Sequence, residues 1–389
     1  MKPVYTLYDI FGPKYVFNGK GSYYNSQWLP DEDSQNLSTG RLLTLAGKTP
    51  LIIHKHLVNS LALSTLSHAG LQVAENLYVY KDQRSYNHLL QNLQKKKQDM
   101  VFNFDHLPSE YDKKKYWIKS SLLCYLNNKK HLEEIVPTHY VPERFVVTID
   151  ELEKEKFDIS YPFVIKAATD EPGGGGLEVM MCKNKDQFIK AKKMFKSSKF
   201  VIVERFLSIK KNFCIQFAQT YKGNLVYLGS AEQIIDNNGK YVGNWIEKRD
   251  EPPAEAINLC KRIVEKAVSL GYWGLIGIDT VITEDDEIFV IDLNFRENGS
   301  AAALLYRESI MKNWKVNTIK TRKWKSLLRT EDFHSTVQTF INKKNLLPLC
   351  IYNDSNTIDN PIYMWGIIAG CSKKEINRIE QEMKNRGIM

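Results

Sequence analysis

Up to about residue 118, short apolar runs alternate with stretches of helical periodicity. Pro50–His54 reads as a strand, Leu57–Ala69 as a helix closed by Gly70, and Asn76–Tyr80 as a second strand. A polar helix follows from Arg84, and Val101–Phe104 forms a third strand. Strands alternating with helices predict a small parallel sheet of the open α/β kind over residues 1–118. None of these strands runs into GxGxxG, so no dinucleotide site is expected there. The first forty residues, rich in Tyr, Asn and Ser, carry no functional expectation.

Residues 119–206 read as a second, smaller unit: a helix, a proline-bounded strand near Tyr140–Val146, a hairpin, a helix and a final apolar strand. The second helix is well signalled, with Asn184 as N-cap, Gln187 three residues on, and Phe188, Ala191 and Phe195 on one face. Residues 207–310 predict antiparallel strands around one long helix. Phe213–Thr220 and Leu225–Ile234 flank the turn Tyr221–Asn224, and the helix runs from Pro252-Pro253 to Gly271. Residues 311–389 hold a basic segment, strand-like runs at Leu346–Tyr352 and Pro361–Gly370, and a charged amphipathic helix after Ser372. They read as a C-terminal α+β extension.

Two hairpins carry the candidate chemistry. In the first, the strand Tyr161–Ala168 contains Lys166, Leu177–Cys182 is the returning strand, and the tip holds Gly173, Gly174, Gly175 and Gly176. Four glycines expose backbone N–H groups and tolerate positive φ, so the tip can fold over polyanionic oxygens while Lys166 supplies a point charge. A glycine run alone reads equally as a mobile surface turn. Farther on, the apolar run Lys199–Phe206 finishes in Glu204-Arg205. Exposed backbone groups there can pair with the edge of a planar ligand; a plain interdomain linker has the same pattern.

The second hairpin is Gly274–Ser300, two apolar strands around the polar turn Thr283–Glu287. A two-residue turn centred on Asp285-Asp286 pairs Glu284 with Glu287 and places Asp279 opposite Asp292, Cβ atoms roughly 5 Å apart. Side chains alternate, so Asn294 joins Asp292 on one face. Opposed carboxylates inside apolar strands repel unless a cation lies between them. Two carboxylates and an amide oxygen suit Mg²⁺, with Mn²⁺ as a substitute, alongside substrate phosphates. A one-residue shift of the turn would put Asp279 opposite Ile291 and remove the argument.

Composition narrows the setting. The 389 residues are too many for one compact core, and two or three domains are expected. No apolar run is long enough to span a membrane and no signal peptide precedes the chain, so a cytoplasmic location is expected. The 6 cysteines lack CxxC spacing and read as reduced packing residues. A net charge of +9 favours acidic partners, with cations concentrated near residues 95–117 and at Lys312–Arg329. Aromatic-basic interleaving of the nucleic-acid-binding kind is missing, so no nucleic acid is expected.

Together, the glycine hairpin with its preceding lysine, the strand VIVERF and the later D…DxNxR hairpin resemble the ATP-grasp superfamily over residues 119–305. The resemblance implies an ATP-grasp fold: an N-terminal open α/β domain, a small lid subdomain and an antiparallel-sheet catalytic subdomain. It also implies roles. Lys166 matches the lysine on the α-phosphate, and Gly173–Gly176 the loop over the triphosphate. Glu204 and the backbone of Arg205 and Phe206 match the adenine-reading hinge. Asp279, Asp292 and Asn294 match the magnesium ligands, and Arg296 the arginine that steadies phosphate and acyl phosphate. Lys119 is the choice for an earlier phosphate lysine, with Lys129 and Lys130 competing. Departures are Asp292 in place of the usual Glu, Asn212 or Lys211 where an acid often holds the ribose, and Gly277-Ile278 where D-alanine ligases place an arginine. The implied activity is ATP-dependent coupling of a carboxylate to an amine through an acyl phosphate, releasing ADP and phosphate. Alternatives are loading of an amino acid onto the thiol of an acidic carrier protein, a small-molecule kinase, or a non-catalytic nucleotide-binding module. A homodimer is compatible with the composition.

Overall fold

The computed structural model describes residues 1–23, 27–171, 173–174, 176–236, 239–354 and 360–389. The first sheet consists of β1 (Tyr15–Asn18), β2 (Leu51–His54), β3 (Leu77–Tyr80) and β4 (Asp99–Phe102), all parallel in the order β3-β2-β1-β4. Three of these strands are expected from the pattern. β1 is not, although it sits inside the sheet: four residues between Pro13 and Gly19 are too short to show a period. The helix expected from Leu57 begins at Ser60 instead, because the Asn59 side chain caps it by accepting the Ala62 N–H, and Lys55–Leu57 forms a 3₁₀ turn.

The second sheet is antiparallel: β5 (Arg144–Thr148), β6 (Phe163–Ala168), β7 (Val179–Cys182) and β8 (Phe200–Arg205), in the order β5-β8-β6-β7. The helix Lys185–Met194 covers it, its N-cap Asn184 accepting from the Gln187 N–H. Phe163, Ile165, Phe188, Phe195, Val201 and Val203 form its core. Trp28, from the segment without any expectation, completes that core with its ring 5.3 Å from Phe195.

The third sheet has eight antiparallel strands: β9 (Ile209–Gln219), β10 (Leu225–Ile235), β11 (Tyr241–Glu247), β12 (Gly274–Thr283), β13 (Ile288–Asn294), β14 (Thr318–Ser326), β15 (Leu346–Tyr352) and β16 (Ile362–Gly370). Their order is β13-β12-β9-β10-β11-β14-β16-β15, so the strands after residue 311 extend the sheet that carries the acidic hairpin. Part of the basic segment is β14, between β11 and β16. Its cations are partly spent inside the fold: Lys320 and Arg322 both pair with Glu380.

One apolar core runs from the first sheet into the third, joining Val16, Ile52 and Phe102 to Ile215, Ile276 and Leu293. Phe11 and Trp273 meet at 5.7 Å across that junction, where the Trp117 indole donates to the Trp273 carbonyl at 2.8 Å. The 6 cysteines are all free. Among the described residues no helix is long and apolar enough to cross a membrane.

Candidate active site

The acidic hairpin reaches the expected pairing by an unexpected route. Its loop holds three residues, Glu284–Asp286, closed by the Thr283 N–H on the Glu287 carbonyl at 2.9 Å, with Asp286 at φ +62°. That is the three-residue hairpin geometry, a type I turn followed by a left-handed residue, rather than the two-residue turn expected. Pairing therefore runs one residue off at first: Ile282 faces Ile288, Val281 faces Phe289 and Thr280 faces Val290. A β-bulge at Ile291 then restores the register, and Asp279 faces Asp292. The bulge also serves the neighbouring sheet. The Ile291 carbonyl accepts from Lys166 Nζ at 3.2 Å.

Lys166 projects from β6 and is 6 % exposed. Besides Ile291 it pairs with the carboxylate of Glu204, at the end of β8, itself buried and 4.0 Å from Arg144. Burial pulls the Arg144 guanidinium below its usual range, partly offset by Glu204. The hinge acid and the phosphate lysine of the sequence reading thus meet in one ion pair between two sheets. The backbone N–H of Arg205 is already taken, donating to the Glu143 carbonyl at 2.9 Å, which leaves that group unavailable to a planar ligand. Phe206 is half-buried, and the Arg205 guanidinium lies 5.5 Å from the Phe289 ring. Asn212 lies opposite Val281, two residues from the Cys214 that faces Asp279, and so on the face of the acidic pair.

Two cations close the cluster from other elements. Lys129, in a 3₁₀ turn at Lys129–His131, hydrogen-bonds Asp292 and approaches Glu178 at 3.5 Å. Lys119 is not brought in. It is exposed at the start of the helix Ser120–Asn127, a full helix away from the position Lys129 occupies. Arg296, just past β13, donates to Asn127 Oδ1 at 2.9 Å and to the Gly173 carbonyl at 3.3 Å, with its guanidinium 5.4 Å from the Phe104 ring. Gly173 is therefore tied to Arg296, while a side chain added at Gly174 would meet open space. Gly176 has φ +80°, which its lack of a side chain permits. Gly175 lies outside the described residues.

Sequence reasoning missed several members of this site. Trp28, Phe104, Asp105, Asn127 and Glu178 line the cleft beside Arg296. Phe104 and Asp105 follow β4 at the carboxyl end of a parallel sheet, the edge where such sheets bind ligands, and that signal was available. Behind Arg296, the buried Glu297 takes the Arg41 guanidinium at 2.8 Å and an Asn103 amide at 3.3 Å. Burial raises the Glu297 carboxyl, and Arg41 works against that rise.

Two family models match this chain in tandem: that of the L-aspartate–L-methionine ligase N-terminal domain at residues 6–124, and that of the L-aspartate–L-methionine ligase ATP-grasp domain at residues 142–294. The chain belongs to the ATP-grasp carboxylate–amine ligases. Its fold is shared by N5-carboxyaminoimidazole synthetase from Staphylococcus aureus, 15 % identical with a TM-score of 0.58 and covering 100 % of both chains. It is shared too by L-amino acid ligase from Bacillus licheniformis, 12 % identical with a TM-score of 0.52, covering 87 % of this chain and 98 % of that one. Biotin carboxylase 2 of Populus trichocarpa is 24 % identical over 174 residues, 41 % of this chain; the match spans 31 % of that relative's length. ATP-grasp ligases use ATP to join a carboxylate to an amine.

For this ATP-grasp ligase the donor set fits a hard divalent cation. Asp279 is half-buried opposite Asp292, and its carboxyl is pushed up to about 6, first by burial and then by the Asp292 charge. Its Oδ1 is buried without a hydrogen-bond partner, while Asn294 approaches its Oδ2 at 3.3 Å. An orphaned carboxylate oxygen, a second carboxylate and an amide are the oxygen ligands such an ion takes.

Proposed function

We propose that this chain joins L-aspartate to L-methionine, activating the carboxylate of the first as an acyl phosphate. What supports the reading is a chain of contacts, Arg296 to Gly173, Lys129 to Glu178 and Asp292, Lys166 to Glu204, with Asp279 opposite Asp292, in a chain matched by both models of that ligase. A carboxylate oxygen of aspartate attacks the γ-phosphorus of ATP, and the bond to the ADP oxygen breaks. Methionine enters as an ammonium and loses one proton to become the free amine; its nitrogen then attacks the acyl carbon, the C–O bond to phosphate breaks, and the nitrogen gives up a second proton to leave a neutral amide.

Lys166 and Lys129 hold the phosphate oxygens, and Arg296 steadies the transferring phosphoryl group and the acyl phosphate. Mg²⁺ on Asp279, Asp292 and Asn294 supplies charge neutralisation on the phosphates when bound. The glycine loop excludes water that would hydrolyse the acyl phosphate. The cleft measures about 60 Å³, against the roughly 300–1,000 Å³ of pockets that enclose small molecules, so the loop lifts for substrate entry and the Arg296–Gly173 bond opens. Asn212 is offered for ribose contact, and Glu204 and Phe206 of the hinge for adenine, the Arg205 N–H being taken by the Glu143 carbonyl.

A free amino acid is preferred to the thiol of a carrier protein because both matching family models describe a ligase of two amino acids. We place the reaction in the cytoplasm, where six free cysteines stay reduced. Incubation with ATP, Mg²⁺, L-aspartate and L-methionine should yield ADP, phosphate and a dipeptide with the mass of aspartyl-methionine. AMP with pyrophosphate, or a phosphorylated product that persists with methionine present, would refute the proposal.

A further inference from the structure

The cleft beside Arg296 is lined by both signs of charge, Arg296 and Lys129 with Asp105, Asp170, Glu171 and Glu178, while Trp28, Phe104, Leu123 and Cys124 supply apolar wall. Phe104 and Asp105 are consecutive, so the strand end that sets a ring under the Arg296 guanidinium also sets a carboxylate in the same cleft.

That carboxylate is rigidly presented. Lys113 pairs with Asp105 Oδ1 and also donates to the His106 carbonyl. The His106 N–H donates to the Tyr116 hydroxyl at 3.1 Å, and the His106 ring contacts the Phe104 carbonyl at 3.0 Å. Lys113 holds one oxygen, and Tyr116 and Cys124 stand beside the carboxylate, whose two oxygens offer about four acceptor sites in all. Burial raises the Cys124 thiol first, and the neighbouring Asp105 and Asp170 carboxylates raise it further.

Asp105 stands beside the apolar wall, so a zwitterion with an apolar side chain offers its ammonium to that carboxylate and carbon to the wall. We propose that Asp105 holds the ammonium of the amine-bearing amino acid, with Trp28, Phe104, Leu123 and Cys124 receiving its side chain. This assignment rests on the ligase reading above and names the pocket that selects the acceptor. Asp105 is a positioning residue for the incoming nucleophile.

The test uses the full chain with Asp105→Asn. The KM for L-methionine should rise at least tenfold, while the KM values for ATP and L-aspartate stay within twofold of wild type. Hydroxylamine, which needs no ammonium site, should still trap the activated aspartate as a hydroxamate, and Asp105→Glu should recover part of the methionine KM. Cys124→Phe, which narrows the wall, should raise the kcat/KM ratio of L-alanine over L-methionine at least tenfold. A methionine KM within twofold of wild type in Asp105→Asn, a parallel rise of all three KM values, or an unchanged amino-acid preference in Cys124→Phe overturns the assignment. A wild-type chain that forms no hydroxamate from ATP and L-aspartate overturns the ligase reading itself, and the assignment with it.

Discussion

Replacing Asp279 by Asn should stabilise the metal-free protein while destroying its metal site. The carboxyl rises from 3.8 to about 6 on folding because it is half-buried opposite Asp292. The folded chain therefore holds this proton more tightly than the unfolded chain, so the contribution to stability is best below pH 3.8 and is lost as pH climbs toward 6. Linkage puts the loss at about 1 kcal/mol at pH 4.5 and about 3 kcal/mol at pH 7.5. Asparagine carries no such cost, and its amide can donate toward Asp292 across the register pair. With an unfolding entropy of about 2.1 cal/mol/K per residue over 389 residues, the gain corresponds to about 4 °C in Tm at pH 7.5 and about 1 °C at pH 4.5. Thermal unfolding at both pH values, with and without Mg²⁺, measures it. Mg²⁺ should raise the Tm of the wild type and not that of the variant. A variant less stable than wild type at pH 7.5, or one whose gain is the same at both pH values, would show that the pair is not electrostatically strained as described.

Lys129→Met should lower kcat/KM for ATP by about 100-fold, the scale of losing one charged donor at a reacting phosphate, while Lys119→Met stays within twofold; initial rates of ADP release distinguish them. Trp28→Ala should cost about 3–5 kcal/mol by emptying the core of the second sheet, read as faster proteolysis between residues 142 and 206. Arg41→Ala strands the Glu297 carboxylate, 2 % exposed, and should cost about 3 kcal/mol in urea unfolding; adding Glu297→Gln should recover part of that loss.

Where local chemistry dominates, the elements were legible. Asn184 capping Lys185–Met194, Pro252-Pro253 opening the helix Ala254–Ser269, and the apolar run of β8 each follow from residues within one turn or one strand. β1, β11 and β14 were not legible: β1 is too short to show a period, and β14 is too charged to read as a strand. Lys320 and Arg322 carry charge into β14, and only the flanking β11 and β16, with Glu380 beneath, make a strand of it. Neighbours supply the hydrogen bonds there, and local propensity is overridden.

The order of the chemical groups along the chain, Lys166, the glycines, Glu204, Asp279, Asp292, Asn294 and Arg296, was determined by the sequence alone, because each sits in a hairpin or at a strand end with its own local signal. Which groups meet was decided by the tertiary structure. The turn by itself would have slipped Asp279 opposite Ile291; the bulge corrects it, and the carbonyl at the bulge finds its donor in Lys166, 125 residues away in the chain. Lys129 outranks Lys119, and Trp28 joins the second sheet's core, through contacts between elements far apart in the chain that no local pattern encodes. Side-chain periodicity reports which face is buried; it carries no information about what lies across from that face.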